Sequence, residues 1–327
     1  MKAFTYSAPS DLTTALLALS NPGQHAVMGG GTDLVNSMKS YIETPDDVVD
    51  VHGIQALGTI DPSGNPVKIG SAVRIADLLA SADLQKLYPI LIQAGSVIAT
   101  PQIRNVGTVG GNLCQRPRCW YFRSEDYTCT RKYGSECYAI LGENRYNAIL
   151  GGSGCFIVHP SDLAPALIAL DAKAVVSGLT KTRTMALNDF FVGPDVDVHH
   201  ENVLQPGEML AGVQIPRPPS GQVGAYLKAR GRETWDFATT AAAVTLVMNG
   251  GTCTDARVVM GGVAPRPWRS TDAEAALIGH PVTAATAAQA AAAAVKLARP
   301  MQFNAYKVDQ VQVLIRRAVL QAAGVGG

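Results

Sequence analysis

The 327-residue chain has almost no excess of one sign of charge and no long apolar run. Its formal net charge of +1 gives no indication of the basic surface that nucleic-acid binding requires. No stretch has the length of apolar sequence needed to span a bilayer. The nearest, residues 283–298, is short and alanine-rich, which is typical of a buried helix. We therefore expect neither a nucleic-acid partner nor a membrane span.

The N-terminal segment MKAFTYSAPS lacks the basic and apolar regions of a secretory signal. The expectation is a cytoplasmic protein, or a periplasmic one if a partner subunit that carries a signal exports it. Cysteine is also scarce, with six residues in the chain. In a reducing compartment, clustered thiols more often serve metal or redox chemistry than disulfides.

The composition is that of a well-folded protein, because 47% of the residues are hydrophobic and 16% are charged. The length suggests two or three compact units. We expect a nucleotide-binding region over residues 1–218, with one lobe at about 1–56 and a second at about 57–218. After the proline cluster at 216–219, residues 219–327 are expected to form a smaller α+β domain.

Capping residues and alternating patterns predict the local elements. Ser10 and Asp11 can cap a helix that runs through Leu19, and a second helix is expected over residues 34–41. Residues 46–51 read as a buried strand, and residues 155–176 as strand, capped helix and strand. Residues 225–270 are expected to form antiparallel strands with one buried helix.

Two glycine-rich loops are the first candidate binding elements. Residues 29–33 (GGGTD) follow a strand, and residues 108–112 (TVGGN) follow an extended segment. Glycine lets backbone N–H groups approach an anion closely, because no Cβ intervenes. Neither loop fits the Rossmann or Walker pattern, and single glycine clusters are more often plain turns. Together, the two loops predict a site for the two phosphates of a dinucleotide.

Three motifs occur in a diagnostic order: GGGTDL at 29–34, TVGGNL at 108–113 and HPSDLAPAL at 159–167. With GEML at 207–210 and YLK at 226–228, the chain resembles, almost from end to end, the FAD-binding subunit of the xanthine dehydrogenase and carbon monoxide dehydrogenase family of molybdenum hydroxylases. The resemblance implies an α+β fold. A two-lobed FAD-binding region of the vanillyl-alcohol-oxidase and CO-dehydrogenase-flavoprotein type would carry a cysteine-rich insertion. A smaller C-terminal domain with an antiparallel sheet and helices would follow.

The resemblance also implies the flavin contacts. Asp162 would accept a hydrogen bond from a flavin-side or ribose hydroxyl, while Leu210 and Lys228 would lie near the isoalloxazine ring. The alternatives are that Asp162 simply caps a helix and that Lys228 is a solvated surface residue. The implied FAD-binding residues are Gly29, Gly30, Gly31, Thr32, Asp33, Leu34, Thr108, Val109, Gly110, Gly111, Asn112, Ser161, Asp162, Leu210 and Lys228.

The insertion, at about 113–160, carries four of the six cysteines: Cys114, Cys119, Cys129 and Cys137. Disulfides, zinc and a 4Fe–4S cluster are the alternatives. Structural zinc prefers close cysteine pairs, whereas four thiolates also suit a 4Fe–4S cluster. The segment resembles the cluster-bearing insertion in the flavin subunit of bacterial periplasmic-type aldehyde oxidoreductases, and 4-hydroxybenzoyl-CoA reductase has a comparable one. We therefore expect a 4Fe–4S cluster on these four cysteines, and Cys155 and Cys253 as core residues.

The family implies an electron-transfer subunit that has no catalytic residue of its own and is inactive alone. Electrons would come from a large molybdenum-cofactor subunit and a small 2Fe–2S subunit, with aldehydes oxidised to carboxylic acids, and would leave to an external acceptor. One alternative is the flavin subunit of an enzyme like 4-hydroxybenzoyl-CoA reductase. Others are a self-contained FAD oxidoreductase with a structural metal site, and a zinc-stabilised scaffold without catalysis. No histidine or tyrosine motif supplies a general base for a self-contained enzyme.

Overall fold

The computed structural model describes residues 1–325 and contains three β-sheets packed against helices. The expected α+β architecture, with an antiparallel sheet and helices at the C-terminal end, is confirmed. Within the described residues, none of the helices combines the length and the apolar character that crossing a membrane would require.

The first lobe is a small parallel sheet with two helices. Asp11 caps the first helix, since its carboxylate accepts a hydrogen bond of 2.9 Å from the Thr14 backbone N–H. The strands pair in the order β1-β3-β2. The elements are β1 (Thr5–Ser7), α1 (Leu12–Leu19), β2 (His25–Met28), α2 (Leu34–Lys39) and β3 (Asp47–Asp50).

The second lobe is an antiparallel five-stranded sheet with the order β4-β5-β8-β6-β7. Its strands are β4 (Ile60–Asp61), β5 (Val67–Gly70), β6 (Lys173–Ser177), β7 (Thr182–Ala186) and β8 (Met209–Ile215). Its helices are α3 (Ile75–Ala80), α4 (Ala82–Leu87), α5 (Pro89–Ser96), α6 (Pro101–Arg104), α7 (Val109–Leu113), α8 (Trp120–Arg123), α9 (Leu163–Ala169) and α10 (Leu187–Phe190).

The insertion is mostly irregular. Besides the single turn of α8 it has a 3₁₀ turn at Thr130–Lys132. The strand expected at the start of residues 155–176 is absent, and residues 155–158 have no regular secondary structure. Cys155 and Ile157 are buried, whereas Phe156 and Val158 are partly exposed, and none of the four pairs in a sheet.

The C-terminal part is an antiparallel four-stranded sheet in the order β12-β11-β10-β9, covered by three helices. The elements are β9 (Gln222–Ala229), β10 (Thr240–Asn249), β11 (Thr252–Gly261), β12 (Trp268–Arg269), α11 (Thr271–Leu277), α12 (Ala284–Ala294) and α13 (Tyr306–Ala322). As expected, the alanine-rich α12 buries one face, formed by Ala287, Ala290, Ala291 and Ala294.

Residues 225–270 contain no helix, so the buried helix expected among them is wrong, and the alanines at 241–243 belong to β10. Side chains alternate across a strand, so Ala241 and Ala243 join the core of the second lobe. Ala242 and Val244 point the other way, into the core beneath the C-terminal helices. Both faces of the strand are buried, which removes the polar alternation that would have marked it as a strand.

Candidate functional site

The two glycine loops lie against each other. A Cβ built on Gly29 would lie 2.5 Å from the Thr108 Oγ1, and one on Gly30 would overlap the carbonyl oxygen of Val106. Gly31 has φ +68°, a conformation that other residues rarely adopt. Glycine is therefore required for the packing of the loops as well as for access of a ligand to their backbone.

The second loop leads into a short helix whose start is fixed by its own side chain. Thr108 Oγ1 accepts a hydrogen bond of 3.1 Å from the backbone N–H of Gly111, which caps α7. Gly110 packs on the second-lobe sheet, where an added Cβ would lie 2.7 Å from the Ser71 Cβ. The loop is thus held between Gly29 on one side and Ser71 on the other.

Ser161 connects the second loop to the third motif. Its hydroxyl donates a 2.6 Å hydrogen bond to Asn112 Oδ1 and accepts one of 3.0 Å from the backbone N–H of Ala164. Ser161 thereby caps α9, whereas Asp162, at the N-cap position itself, makes no side-chain capping bond. The interpretation of Asp162 as a simple helix cap is therefore wrong.

Asp162 instead forms a buried ion pair that links the second lobe to β9. One carboxylate oxygen accepts a hydrogen bond of 2.6 Å from the Tyr226 hydroxyl, and the other accepts one of 2.8 Å from Lys228 Nζ. The side chain of Lys228 is 2% exposed, so the alternative of a solvated surface lysine is wrong. Burial raises the pKa of Asp162, while the charge of Lys228 and its hydrogen bond act in the opposite direction.

The loops and Asp162 line one cleft, of about 510 Å³, which we call the glycine-loop cleft. Ten of the predicted FAD contacts line it: Gly29, Gly30, Gly31, Thr32, Asp33, Leu34, Thr108, Gly111, Asn112 and Asp162. Five others do not: Val109, Gly110, Ser161, Leu210 and Lys228. Leu210 is a core residue of β8, and Lys228 lies behind Asp162.

Sequence reasoning missed the far wall of the cleft. Leu204 lines the cleft although it was not among the predicted contacts, and Trp235 and Phe237 come from the loop between β9 and β10. Both aromatic side chains are substantially exposed, at 63% and 42%. Two aromatic residues in a polar stretch (GRETWDF) between two apolar strands were the available signal for a binding loop.

Asp33 lines the cleft but directs its carboxylate at the insertion. It accepts a 2.7 Å hydrogen bond from the backbone N–H of Arg116 and one of 2.8 Å from Arg123. Arg118 also donates to it through its guanidinium. Because these three donors from the insertion already occupy the Asp33 carboxylate, the first loop would bind a phosphate through its backbone N–H groups.

Four thiols of the described residues line a second, smaller cavity of about 10 Å³, which we call the thiol cavity. They belong to Cys119, Cys129, Cys137 and Cys155. Asn147 Nδ2 lies 3.7 Å from the Cys119 sulfur. All six cysteines of the chain are free, and no three His, Cys, Asp or Glu side chains within residues 1–325 already have the arrangement of a metal site. The four thiols still supply the donor set of a cluster around one cavity.

This set differs from the predicted one at one position. Cys114 lies beside the glycine-loop cleft, where burial raises the pKa of its thiol to about 12. Cys155, expected to be a core residue, is indeed buried but faces the thiol cavity. Cys253 is buried in the core beneath the C-terminal helices, as expected.

Two family models together match almost the whole chain. The model described as the FAD binding domain in molybdopterin dehydrogenase matches residues 2–218. The model described as the CO dehydrogenase flavoprotein C-terminal domain matches residues 225–322.

Individual relatives agree with these matches. The chain is 38% identical to the aldehyde oxidoreductase FAD-binding subunit of Escherichia coli (strain K12), over 85% of this chain and 86% of the relative. It is 29% identical to the carbon monoxide dehydrogenase medium chain of Afipia carboxidovorans, over 98% and 96%. A chain in a crystal structure of a Cu,Mo-CO dehydrogenase has a TM-score of 0.80 at 27% identity, with 100% of both chains covered.

Proposed function

Because the chain belongs to the family of FAD-binding medium subunits of molybdenum hydroxylases, we propose that FAD occupies the glycine-loop cleft. The observation that carries the proposal is the direct contact of two glycine loops in one cleft that ends at Asp162. When bound, FAD supplies the capacity to take up and release electrons. The chain's own residues bind and orient it, over a region proposed to be residues 1–218.

The pyrophosphate is proposed to lie where the loops meet. Gly30 and Gly111 expose backbone there without a side chain, and the Thr108 cap fixes the direction of the N–H groups in the second loop. Asn112 is held in place by Ser161. This arrangement supports close approach of an anion without any unpaired cationic side chain.

Asp162 is proposed to accept a hydrogen bond from a hydroxyl of the flavin side chain or ribose. Its pairing with Tyr226 and Lys228 fixes the carboxylate in one orientation. Lys228 would act on the flavin through Asp162, as a buried positive charge one residue away from the cleft. Trp235 and Phe237 are proposed to pack against the flavin ring, because they form the aromatic wall of the same cleft.

A 4Fe–4S cluster is proposed in the thiol cavity, with Cys119, Cys129, Cys137 and Cys155 as its ligands. The support is the convergence of four thiols from separate points of the sequence around one cavity. When bound, the cluster would cross-link an insertion that has little regular structure of its own.

The proposed reaction of the assembled enzyme is oxidation of an aldehyde to a carboxylic acid at a molybdenum centre on a large partner subunit. A small 2Fe–2S subunit would deliver the electrons to this chain, which passes them to an external acceptor. Aldehydes are favoured over other substrates by the 38% identity to the aldehyde oxidoreductase subunit.

The test is to co-produce the chain with its molybdenum and 2Fe–2S partners and to follow visible flavin absorbance after anaerobic addition of an aldehyde. The flavin of the complex is expected to be reduced, and the isolated chain is expected to remain oxidised. Robust aldehyde oxidation by the isolated chain would favour a self-contained enzyme instead.

A further inference from the structure

Another cavity, of about 220 Å³, lies between the insertion and the C-terminal sheet. One wall comes from the insertion, including Trp120, Tyr121 and Tyr146. The opposite wall comes from Tyr226 on β9 and the end of β11. We call it the insertion cavity, because without the insertion it would have no such wall.

The insertion side of this cavity presents aromatic surface to solvent. Trp120 is 56% exposed and Tyr146 is 47% exposed, and their rings meet edge to face with 5.6 Å between centroids. Tyr121 adds a third ring at the base. Each of these side chains carries an N–H or O–H donor, so the wall combines flat apolar faces with donors suited to a carbonyl oxygen.

The charged groups of the cavity are already engaged with protein partners. The Arg145 guanidinium pairs with Glu143 at 3.0 Å, and Arg118 pairs with Asp33. Asp162 is neutralised by Lys228. The remaining charge, Asp236, accepts hydrogen bonds from the backbone N–H groups of Gly231 and Phe237.

His159 adds no charge to the cavity lining, because burial lowers the pKa of its ring to about 3. A phosphate or carboxylate ligand would therefore have to displace Asp33 or Glu143 from its guanidinium partner, and burying its charge without such a partner would be costly.

The insertion cavity and the glycine-loop cleft share part of their walls. Arg118, Asp162 and Phe237 line both spaces, as do Pro160 and Asp236. An occupant of the insertion cavity would therefore approach the end of the cleft that Asp162 and Phe237 form. In the proposed FAD site, this is the flavin end.

We infer that the insertion cavity binds a planar, uncharged carbonyl compound of the quinone class, as the oxidant of the reduced flavin. The inference rests on the proposed function, because it requires FAD in the adjacent cleft. The quinone takes up two electrons and the two protons of the neutral reduced flavin to give the hydroquinone, and oxidised flavin is regenerated.

Binding is measured by titrating duroquinone into the oxidised, FAD-loaded complex in a calorimeter, in the absence of any reductant. Duroquinone has no unsubstituted ring position, which limits addition to the free cysteines. Trp120→Leu and Tyr146→Leu remove the aromatic surface singly, and the double variant removes both. Tyr6→Leu is the matched control, because Tyr6 is an exposed aromatic residue on β1 outside this cavity.

We expect each single variant to raise the Kd for duroquinone about tenfold and the double variant to abolish measurable binding, while Tyr6→Leu leaves the Kd unchanged. An unchanged Kd in the double variant would overturn the inference. So would a wild-type complex that carries FAD but binds no duroquinone.

A third contrary result would be NAD⁺ binding that Trp120→Leu weakens, because it would assign the cavity to a charged dinucleotide. FAD content is determined before each titration, so that failure of the quinone site can be distinguished from failure of the proposed function. A complex without flavin contradicts the proposed function. An FAD-loaded complex whose Kd for duroquinone is unchanged by Trp120→Leu contradicts only the quinone site.

Discussion

Arg123 of the insertion donates a 2.8 Å hydrogen bond to Asp33 in the first glycine loop. The same guanidinium bonds to the Ser37 hydroxyl at 2.6 Å, and Arg118 donates to the same Asp33 oxygen. On the other side, Arg131 pairs with the buried Glu201 of the second lobe. The insertion is therefore fastened to both lobes that form the cleft.

Breaking this connection should affect both cofactors. Arg123→Ala removes one of the three donors to Asp33 and leaves the buried Ser37 hydroxyl without its partner, at a cost of about 1–3 kcal/mol in the free energy of unfolding. We expect lower FAD and iron contents in the purified complex. Arg74→Ala, which breaks an exposed pair with Asp77, is the control and should alter neither. Normal FAD and iron in Arg123→Ala would show that the insertion and the loop fold independently.

The cysteine assignment is tested by a matched pair of variants. Cys155→Ser should remove most of the iron and acid-labile sulfide, because Cys155 faces the thiol cavity. Cys114→Ser should retain both, because Cys114 lies at the glycine-loop cleft. The reverse result would restore the ligand set predicted from sequence spacing.

Loop packing is tested by adding single methyl groups. Gly30→Ala would drive a Cβ into the carbonyl of Val106, with a destabilisation of about 1–3 kcal/mol and a large loss of bound FAD. Gly110→Ala should act similarly through Ser71. Gly53→Ala has open space and should retain FAD. Full flavin content in Gly30→Ala would contradict the observed contact of the loops.

His159 should make stability depend on pH. Burial lowers its pKa from 6.5 to about 3, so the folded chain favours the neutral ring. The resulting stability is present above about pH 6.5 and is lost progressively as the pH falls towards 3, by several kcal/mol at most. Urea unfolding of His159→Gln should lack this component, whereas the exposed His52→Gln should keep it. If the free energy of unfolding varied with pH in the same way in the wild type and in His159→Gln, His159 would not be the source of the pH dependence.

The cluster is expected to be mainly structural. Cys129→Ser should reduce complex assembly and FAD loading more than it reduces flavin reduction per assembled FAD, measured in a single turnover with an aldehyde. If assembly and FAD loading were normal but flavin reduction collapsed, the cluster would be an obligatory relay.

Local rules predicted the first lobe well. The Asp11 cap, the strand at residues 25–28 and the helix after Asp33 all depend on neighbouring residues, and the structure contains each of them. The order of the three motifs likewise identified the cleft, since ten of the fifteen predicted contacts line it.

Tertiary relationships could not be predicted from spacing. Cys155 follows Cys137 by 18 positions and has apolar neighbours, so nothing local distinguishes it from a core residue. Leu204 lines the cleft, whereas Leu210 lies on β8 with its side chain in the core. Both faces of β10 are covered, so its sequence lacks the polar alternation typical of a strand.

The most direct test of the central claim is to denature the purified complex and to identify and quantify the flavin released. The account predicts FAD equimolar with this chain and entirely free in the supernatant, because the cleft offers backbone and hydrogen-bonding contacts to a dissociable cofactor. A complex that releases no FAD, or that retains flavin covalently on the chain, would contradict the account.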